Sequence, residues 1–530
     1  MSTTVTANAG TGQVSKTIND GVSLPKDVVT THPLIISNRA YTTSTSFPVY
    51  SPSSGALLHH FSSASIADTT HAIEASQTAF EEWRILPPPR KRDIFLKAAS
   101  IMESRKEELV QFCVQEAGTS LAWAEFNLDL AVDILRDVSG RLSSINGSIP
   151  STSQPGTSAL VFKEPYGVIL SIAPWNAPFI LGVRSIAYPL AAGNSVILKA
   201  PELSPLCSHA IVSCFHDAGL PEGVLNLIAH QPSDAAAITK HLIEHPSIKK
   251  VNFTGSTAVG KIIASVAGQN LKPLLLELGG KAPAIVLDDA DLEHAAAACA
   301  VGAFLHSGQI CMSTERIIVH ELVADAFEAA FKKAVLRFTP EGQERGCLIN
   351  TTAAERIKRL LADATAKGAI IVHGDPTNDV EPKMSPVIIK GVRKDMDLFY
   401  AESFGPTVCL MTARNDEEAL ELANDTEYGL SASVFTNDLG RALRLARRIE
   451  SGAVHINEMT VHDETSLPHG GKFLLFGPIF YSTLGDEIEA KSGHAHQLIT
   501  AVGVKASGYG RFGASGLDEW VRTKTTTYRD

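Results

Sequence analysis

From about residue 165 onward, short runs of uninterrupted apolar residues alternate with stretches whose apolar positions recur at helical spacing. "GVILSI" (167–172) leads into an apolar stretch that reaches Ala192. "SVILK" (195–199) precedes a helical pattern through Asp217, and "VLNLI" (224–228) precedes another at 233–243. "IKKVNF" (248–253) runs into "TGSTAVGKIIASVA". Strands that are apolar on both faces lack polar alternation, so this pattern predicts a parallel sheet covered by helices. The pattern then starts again. "APAIVL" (282–287) precedes a helix at 291–304, and "RIIVH" (316–320) precedes a long one through 337. Helices near 352–367, 416–424 and 438–449 flank the strands "AIIVH" and "SASVF". Residues 75–145 read mainly as helix, and the prolines at 87–89 break it into two or more pieces. The prediction is two α/β domains with a helical N-terminal layer.

Bulk properties narrow the function. A chain of 530 residues exceeds one ordinary core. A net charge of −11 leaves no excess of Lys and Arg for phosphates, which argues against a nucleic-acid partner. No run of about 18 uncharged apolar residues is present, so no membrane span is predicted. Residues 1–30 are polar and Thr-rich, with no apolar segment and no arginine. They predict a disordered tail rather than a secretory or mitochondrial leader. Seven scattered cysteines with no metal-type spacing predict free thiols in a reducing, cytoplasmic setting and no bound metal.

Candidate chemistry gathers at a few places. "HSGQICMST" (306–314) sets Cys311 among small and polar neighbours, where a core cysteine would have apolar company. In "NFTGSTAVGK" (252–261) a strand turns at Gly255 and Ser256 into a helix, whose first N–H groups suit a phosphate. An ordinary strand–turn–helix fits the same residues. In "LLLELGG" Glu277 ends an apolar strand. It is either a salt-bridged structural carboxylate or a general base with a raised pKa. In "APWNAP" Asn176 is either a turn residue or an amide donor aimed at an oxyanion. "GYGRFG" (508–513) matches GxGxxG but has no βαβ unit after it, so it is discarded as a dinucleotide fingerprint.

Taken in order, "PWNAP", "VILKAPELSP", "FTGSTAVG", "LELGGKAPAIV", "GQICMSTER" and "ESFGPTV" resemble the NAD(P)-dependent aldehyde dehydrogenase superfamily. The resemblance spans about 35–471 and resumes at about 504. "CMSTER" and "HINEMTVHDE" look most like the salicylaldehyde, vanillin and benzaldehyde dehydrogenases. The resemblance implies two Rossmann-like parallel-sheet domains and a small β oligomerisation extension. The NAD-binding domain would be 31–280, with 146–166 contributing to the extension. The catalytic domain would be 281–471, and 504–530 would complete the extension of a homodimer or homotetramer.

The resemblance also implies roles. Cys311 would attack the aldehyde, Asn176 and the Cys311 N–H would hold the oxyanion, and Glu277 would activate water against the thioester. Gly308 and its small neighbours would leave room for substrate and cofactor ring. Lys199 and Glu202 would hold the adenosine ribose; a carboxylate there repels a 2′-phosphate, which favours NAD over NADP. Gly255 and Ser256 would meet the pyrophosphate, with Trp175 in the same pocket. Glu402 would bond the nicotinamide ribose and Phe404 would pack by the ring. Arg184 would steer a phenolic or anionic substrate, or else form a surface or interdomain salt bridge. His306, His455 and Cys299 are read as structural.

One segment departs from the pattern. "LPHGG" would run straight into "VKASGYGRFG", yet 472–503 intervene. Lengthening a loop about tenfold costs only about 2 kcal/mol, but "FLLFGPIFY" is strongly apolar and needs cover. An unspliced intron or gene-model error explains the segment; a genuine lineage-specific loop is the alternative. His469 stands where the family usually has an aromatic, and the last strand is short. Two readings follow: an aldehyde dehydrogenase for aromatic or bulky hydrophobic aldehydes, or an impaired family member whose tunnel or assembly 472–503 disturbs. A CoA-acylating enzyme is a third, against which Glu277 argues.

Overall fold

Most of the apolar runs become buried strands, while the edge strand Ile370–His373 stays partly exposed and the stretch before Ala192 forms the buried helix Pro178–Ala191. The computed structural model describes residues 30–338, 346–467, 469–470 and 504–530. The expected tail, but for residue 30, and the 472–503 segment lie outside the described residues.

The first sheet runs in the order 274–277, 248–254, 168–172, 195–199, 225–228, all parallel. Antiparallel strands close its edges: Gly508–Tyr509 beside Leu274–Glu277, and Leu34–Ile36 with Arg39–Tyr41 beyond Leu225–Ile228. Four helices, Ile66–Trp83, Pro88–Ser104, Lys106–Ala117 and Leu121–Arg141, share the apolar core of this sheet. Their ends follow from local chemistry. Ser65 and Asp68 form a reciprocal capping box, Pro88 and Pro89 open the second helix, and Gly118 closes the third at φ 62°.

The second sheet runs 370–373, 387–390, 407–413, 314–320, 282–286, 431–435, 453–456, parallel except at the 370–373 edge. Alternate residues enter two separate cores: Ile285, Ile318 and Val434 one, Ala284, Ile317 and Phe435 the other. Both faces are therefore covered, which is why these strands show no polar alternation. The strands change sheet between Glu277 and Ala282, and Gly508–Tyr509 returns to the first sheet.

A separate two-stranded ribbon pairs Thr157–Pro165 with Val521–Arg529 over nine residue pairs. The last strand, short in sequence, still matches its partner along its length. The chain on either side of the 472–503 segment meets in space: His469–Gly470 pairs with Arg511–Phe512. Among the described residues no helix is long and apolar enough to cross a membrane, and no cluster of His, Cys, Asp or Glu is placed to hold a metal.

Candidate active site

From Val168–Ile172 the first sheet grows one way to 195–199 and 225–228, and on the other side lie 248–254 and 274–277. A crevice opens outside the carboxyl ends of strands where the order reverses, and ligands of open α/β sheets bind there. Trp175 and Asn176 follow the first of these strands, Lys199 and Glu277 end two others, and Gly255 and Ser256 follow 248–254.

Across the crevice lies the Cys311 loop, which precedes Thr314–His320. His306 and Ser307 hold φ of 47° and 55°, and Gly308 follows at 72°. Two non-glycine residues in the left-handed region are strained and need fixing by their surroundings. Gln309 does much of that. Its side-chain amide donates to His306 O and Cys347 O and accepts from Ile349 N. Its backbone carbonyl accepts a 2.9 Å bond from Asn176 Nδ2. That bond uses one of the two amide N–H of Asn176.

Cys311 is half-buried, whereas the other six cysteines are buried. It lines a cavity of about 240 Å³ with Asn176, Glu277, Arg184 and Asp463. Apart from Ser120 the remaining wall is apolar, and includes Trp123, Phe126, Ile180, Leu181, Met459 and Val461. Burial pushes the Cys311 thiol well above its usual range, and the negative charges of Glu277, Glu402 and Asp463 push the same way. Arg184 opposes them.

Glu277 is 1% exposed and ends its strand between Thr254 and Gly508. Arg184 Nη1 stands 3.7 Å from its Oε2. The same guanidinium binds Asp463 through Nη2 and lies 5.6 Å over the Phe512 ring. Burial disfavours its charge, but Asp463 and Glu277 hold the proton on more firmly than usual. Arg184 is therefore no surface residue. Of the three expectations for it, the surface pair falls, and the bridge to Asp463 links the two halves of the chain. Its charge is already shared by two carboxylates.

The expected cofactor residues form smaller groups. Lys199 Nζ donates to Glu202 Oε1 at 3.2 Å, and buried His230 lies 3.7 Å from the same oxygen. Ser256 caps the helix Thr257–Gln269. Trp175 meets Phe404 edge-on at 5.9 Å. Glu402 accepts from Gly280 N at 2.9 Å. A carboxylate held by a lysine and a helix N-terminus, both at the carboxyl edge of the sheet, are groups that suit a dinucleotide.

The match that decides the family covers residues 40–472, the extent of the aldehyde dehydrogenase family model. The chain belongs to the aldehyde dehydrogenase family. It is 46% identical to a vanillin dehydrogenase of Pseudomonas fluorescens over 426 residues, 79% of this chain and 88% of that protein. It is 38% identical to a salicylaldehyde dehydrogenase of Pseudomonas putida over 483 residues, 90% of this chain and 93% of that protein. A crystal structure of a salicylaldehyde dehydrogenase from Pseudomonas putida G7 complexed with salicylaldehyde superposes with a TM-score of 0.86 at 36% identity, covering 94% and 98% of the two chains.

Two glycines of this aldehyde dehydrogenase make room for protein atoms. A Cβ on Gly308 would stand 2.1 Å from Gly405 O, so backbone takes the space its missing side chain leaves. A Cβ on Gly255 would stand 2.6 Å from the Phe253 ring, so that glycine also permits a close packing contact. "GYGRFG", no dinucleotide fingerprint, serves the first sheet instead. At φ 111° Gly508 passes so near Leu276 O that a Cβ would lie at 2.0 Å. It lines up the strand that carries Glu277. Sequence reasoning missed Asp463, Gln309 and Glu315, each of which acts through a partner far along the chain. His306 stacks on Trp123 at 5.5 Å, and burial holds it near pKa 3, neutral. Cys299 lies in the core.

Proposed function

We propose that this aldehyde dehydrogenase oxidises aromatic aldehydes to carboxylic acids with NAD as electron acceptor, in a reducing, cytoplasmic compartment. The observation that carries the reading is the apolar, aromatic-walled cavity that ends on Cys311, Asn176 and Glu277. The names of its vanillin and salicylaldehyde relatives support the substrate class.

Cys311, its proton given up to solvent water, bonds its Sγ to the aldehyde carbon, and the carbonyl electrons move onto oxygen. The second amide N–H of Asn176 and the backbone N–H of Cys311 hold that oxyanion. Lys199, Glu202 and Ser256 hold the dinucleotide's adenosine and phosphates, and Glu402 and Phe404 flank its reactive half. A bound nicotinamide would supply the acceptor for the hydride that leaves the substrate carbon. The carbon then remains joined to Cys311 as a thioester. Glu277 takes a proton from water, the hydroxide adds to the thioester, and Cys311 leaves as thiolate.

NAD is favoured because the Glu202 carboxylate, held by Lys199, accepts from a free 2′-hydroxyl and repels a 2′-phosphate. Glu202→Gln is expected to raise the NADP-to-NAD ratio of kcat/KM by about tenfold, which a loss of about 1.4 kcal/mol of repulsion supplies. An unchanged ratio sinks the assignment. The ribbon of Thr157–Pro165 and Val521–Arg529 is proposed as the assembly strand of a homodimer or homotetramer.

NADH formation with benzaldehyde, vanillin, salicylaldehyde and a short aliphatic aldehyde tests the function. It is run on the full chain and on one lacking 472–503, whose flanks meet at His469–Gly470 and Arg511–Phe512. Preference for the aromatic aldehydes is expected. Activity in the shortened chain alone would identify 472–503 as the disabling segment. No turnover in either removes the enzyme reading.

A further inference from the structure

Glu315 is 3% exposed in the strand Thr314–His320, and its carboxylate pairs with Lys281 Nζ at 2.6 Å. Lys281 is itself 1% exposed. Burying two charges costs several kcal/mol per ion in desolvation, about as much as the pair regains. Apolar residues of equal size would hold this core as well, so stability alone does not account for the pair.

The geometry supplies a different account. Glu315 Oε1 and Oε2 both accept from Ser403 N at 2.8 Å, and Oε1 accepts from Phe404 N at 3.1 Å. These N–H groups belong to the turn that carries Glu402 and Phe404. Phe404 sits at φ 48°, a conformation a bulky residue holds only under constraint. Arg356 grips the other side of the turn by donating to Ser403 O and Glu402 O. Gly279 leaves the Glu402 carboxylate its space: a Cβ there would lie 2.5 Å from Oε2. Gly280 N fixes Oε1 at 2.9 Å.

We propose that Glu315 is a positioning residue: held by Lys281, its carboxylate clamps the backbone of Ser403 and Phe404 and so aims Glu402 and Phe404 at the dinucleotide. The inference rests on the cofactor assignment above and adds the residue that enforces it. Glu315 also acts through its charge. Burial, then Glu315, push the Glu402 carboxyl up to about 7, while the Gly280 N–H, then Arg356 and Lys281, pull it down. Cys311 and Tyr428 also feel the Glu402 charge. An ionised Glu402 accepts from ribose hydroxyls, so NAD affinity should rise as pH climbs through about 7.

The test is calorimetric titration of the full chain with NAD from pH 6 to 9, roughly the range that spans this carboxyl. Glu315→Gln keeps the shape and removes the charge. It is expected to weaken NAD binding about tenfold, equivalent to losing one charge-assisted hydrogen bond, and to move the pH midpoint of binding downward. Glu315→Asp keeps the charge but falls short of both N–H groups. It is expected to weaken binding with the midpoint in place, and it carries the test if the Gln variant does not fold. Wild-type affinity and midpoint in both variants overturn the clamp and leave the cofactor assignment standing. Absence of NAD binding by the wild-type chain overturns both.

Discussion

Replacing Cys311 with alanine is expected to abolish aldehyde oxidation, by on the order of 10⁴-fold or more, because no other group on the cavity wall can form the thioester. The fold should survive, since the loop is held by Gln309, Ser313 and Thr460 and not by the sulfur. The thiol is also the one that reagents should find first. Cys207, Cys214, Cys299 and Cys409 are fully buried, and burial raises each of their thiols. Cys311 is raised too, by burial and by three carboxylates, but it opens on a cavity. The sign follows from the raised pKa. At neutral pH the thiol keeps its proton, and the thiolate fraction grows as pH rises toward the shifted value. Alkylation by iodoacetamide and kcat/KM should therefore both climb from pH 7 into the alkaline range. Mass spectrometry should place the first label on Cys311. A Cys311→Ala chain that still turns over benzaldehyde would end the proposal.

The double set of parallel strands is legible in the sequence because strands covered on both faces must be apolar throughout. The residues at strand ends are legible for a related reason. Asn176, Lys199 and Glu277 are polar groups set against apolar runs, and polarity at that point needs an explanation. The pairings are not legible. Arg184 lies 279 positions from Asp463, and Asn176 lies 133 from Gln309. Nothing in either local stretch signals the partner. Glu315 reads as one more charge in "STER" until the fold brings Lys281 and the 403–404 backbone to it. The glycines are no more legible. At Gly308, Gly279 and Gly508 the missing side chain makes room for protein from a distant segment, and nothing in the local sequence names that segment.

Glu277→Gln separates the two halves of the reaction. Glutamine matches the shape of the carboxylate at the end of Leu274–Glu277 but cannot take a proton from water. General-base catalysis contributes about 10²–10⁴-fold, so steady-state turnover should fall by that order. Acylation makes a different demand on the same position. The Glu277 charge is one cause of the raised Cys311 thiol, and its removal lets Arg184 act on the sulfur less opposed. The thiol pKa should then fall, and alkylation of Cys311 at pH 8 should speed up. Together these changes predict a burst of NADH near one equivalent per chain, followed by slow turnover as the thioester accumulates. Rapid mixing of enzyme, NAD and benzaldehyde reads the burst, and acid quench with mass analysis reads the acyl group on Cys311. If alkylation slows instead, Glu277 is the base that deprotonates the thiol. If turnover keeps its wild-type rate with no burst, water is activated by some other group.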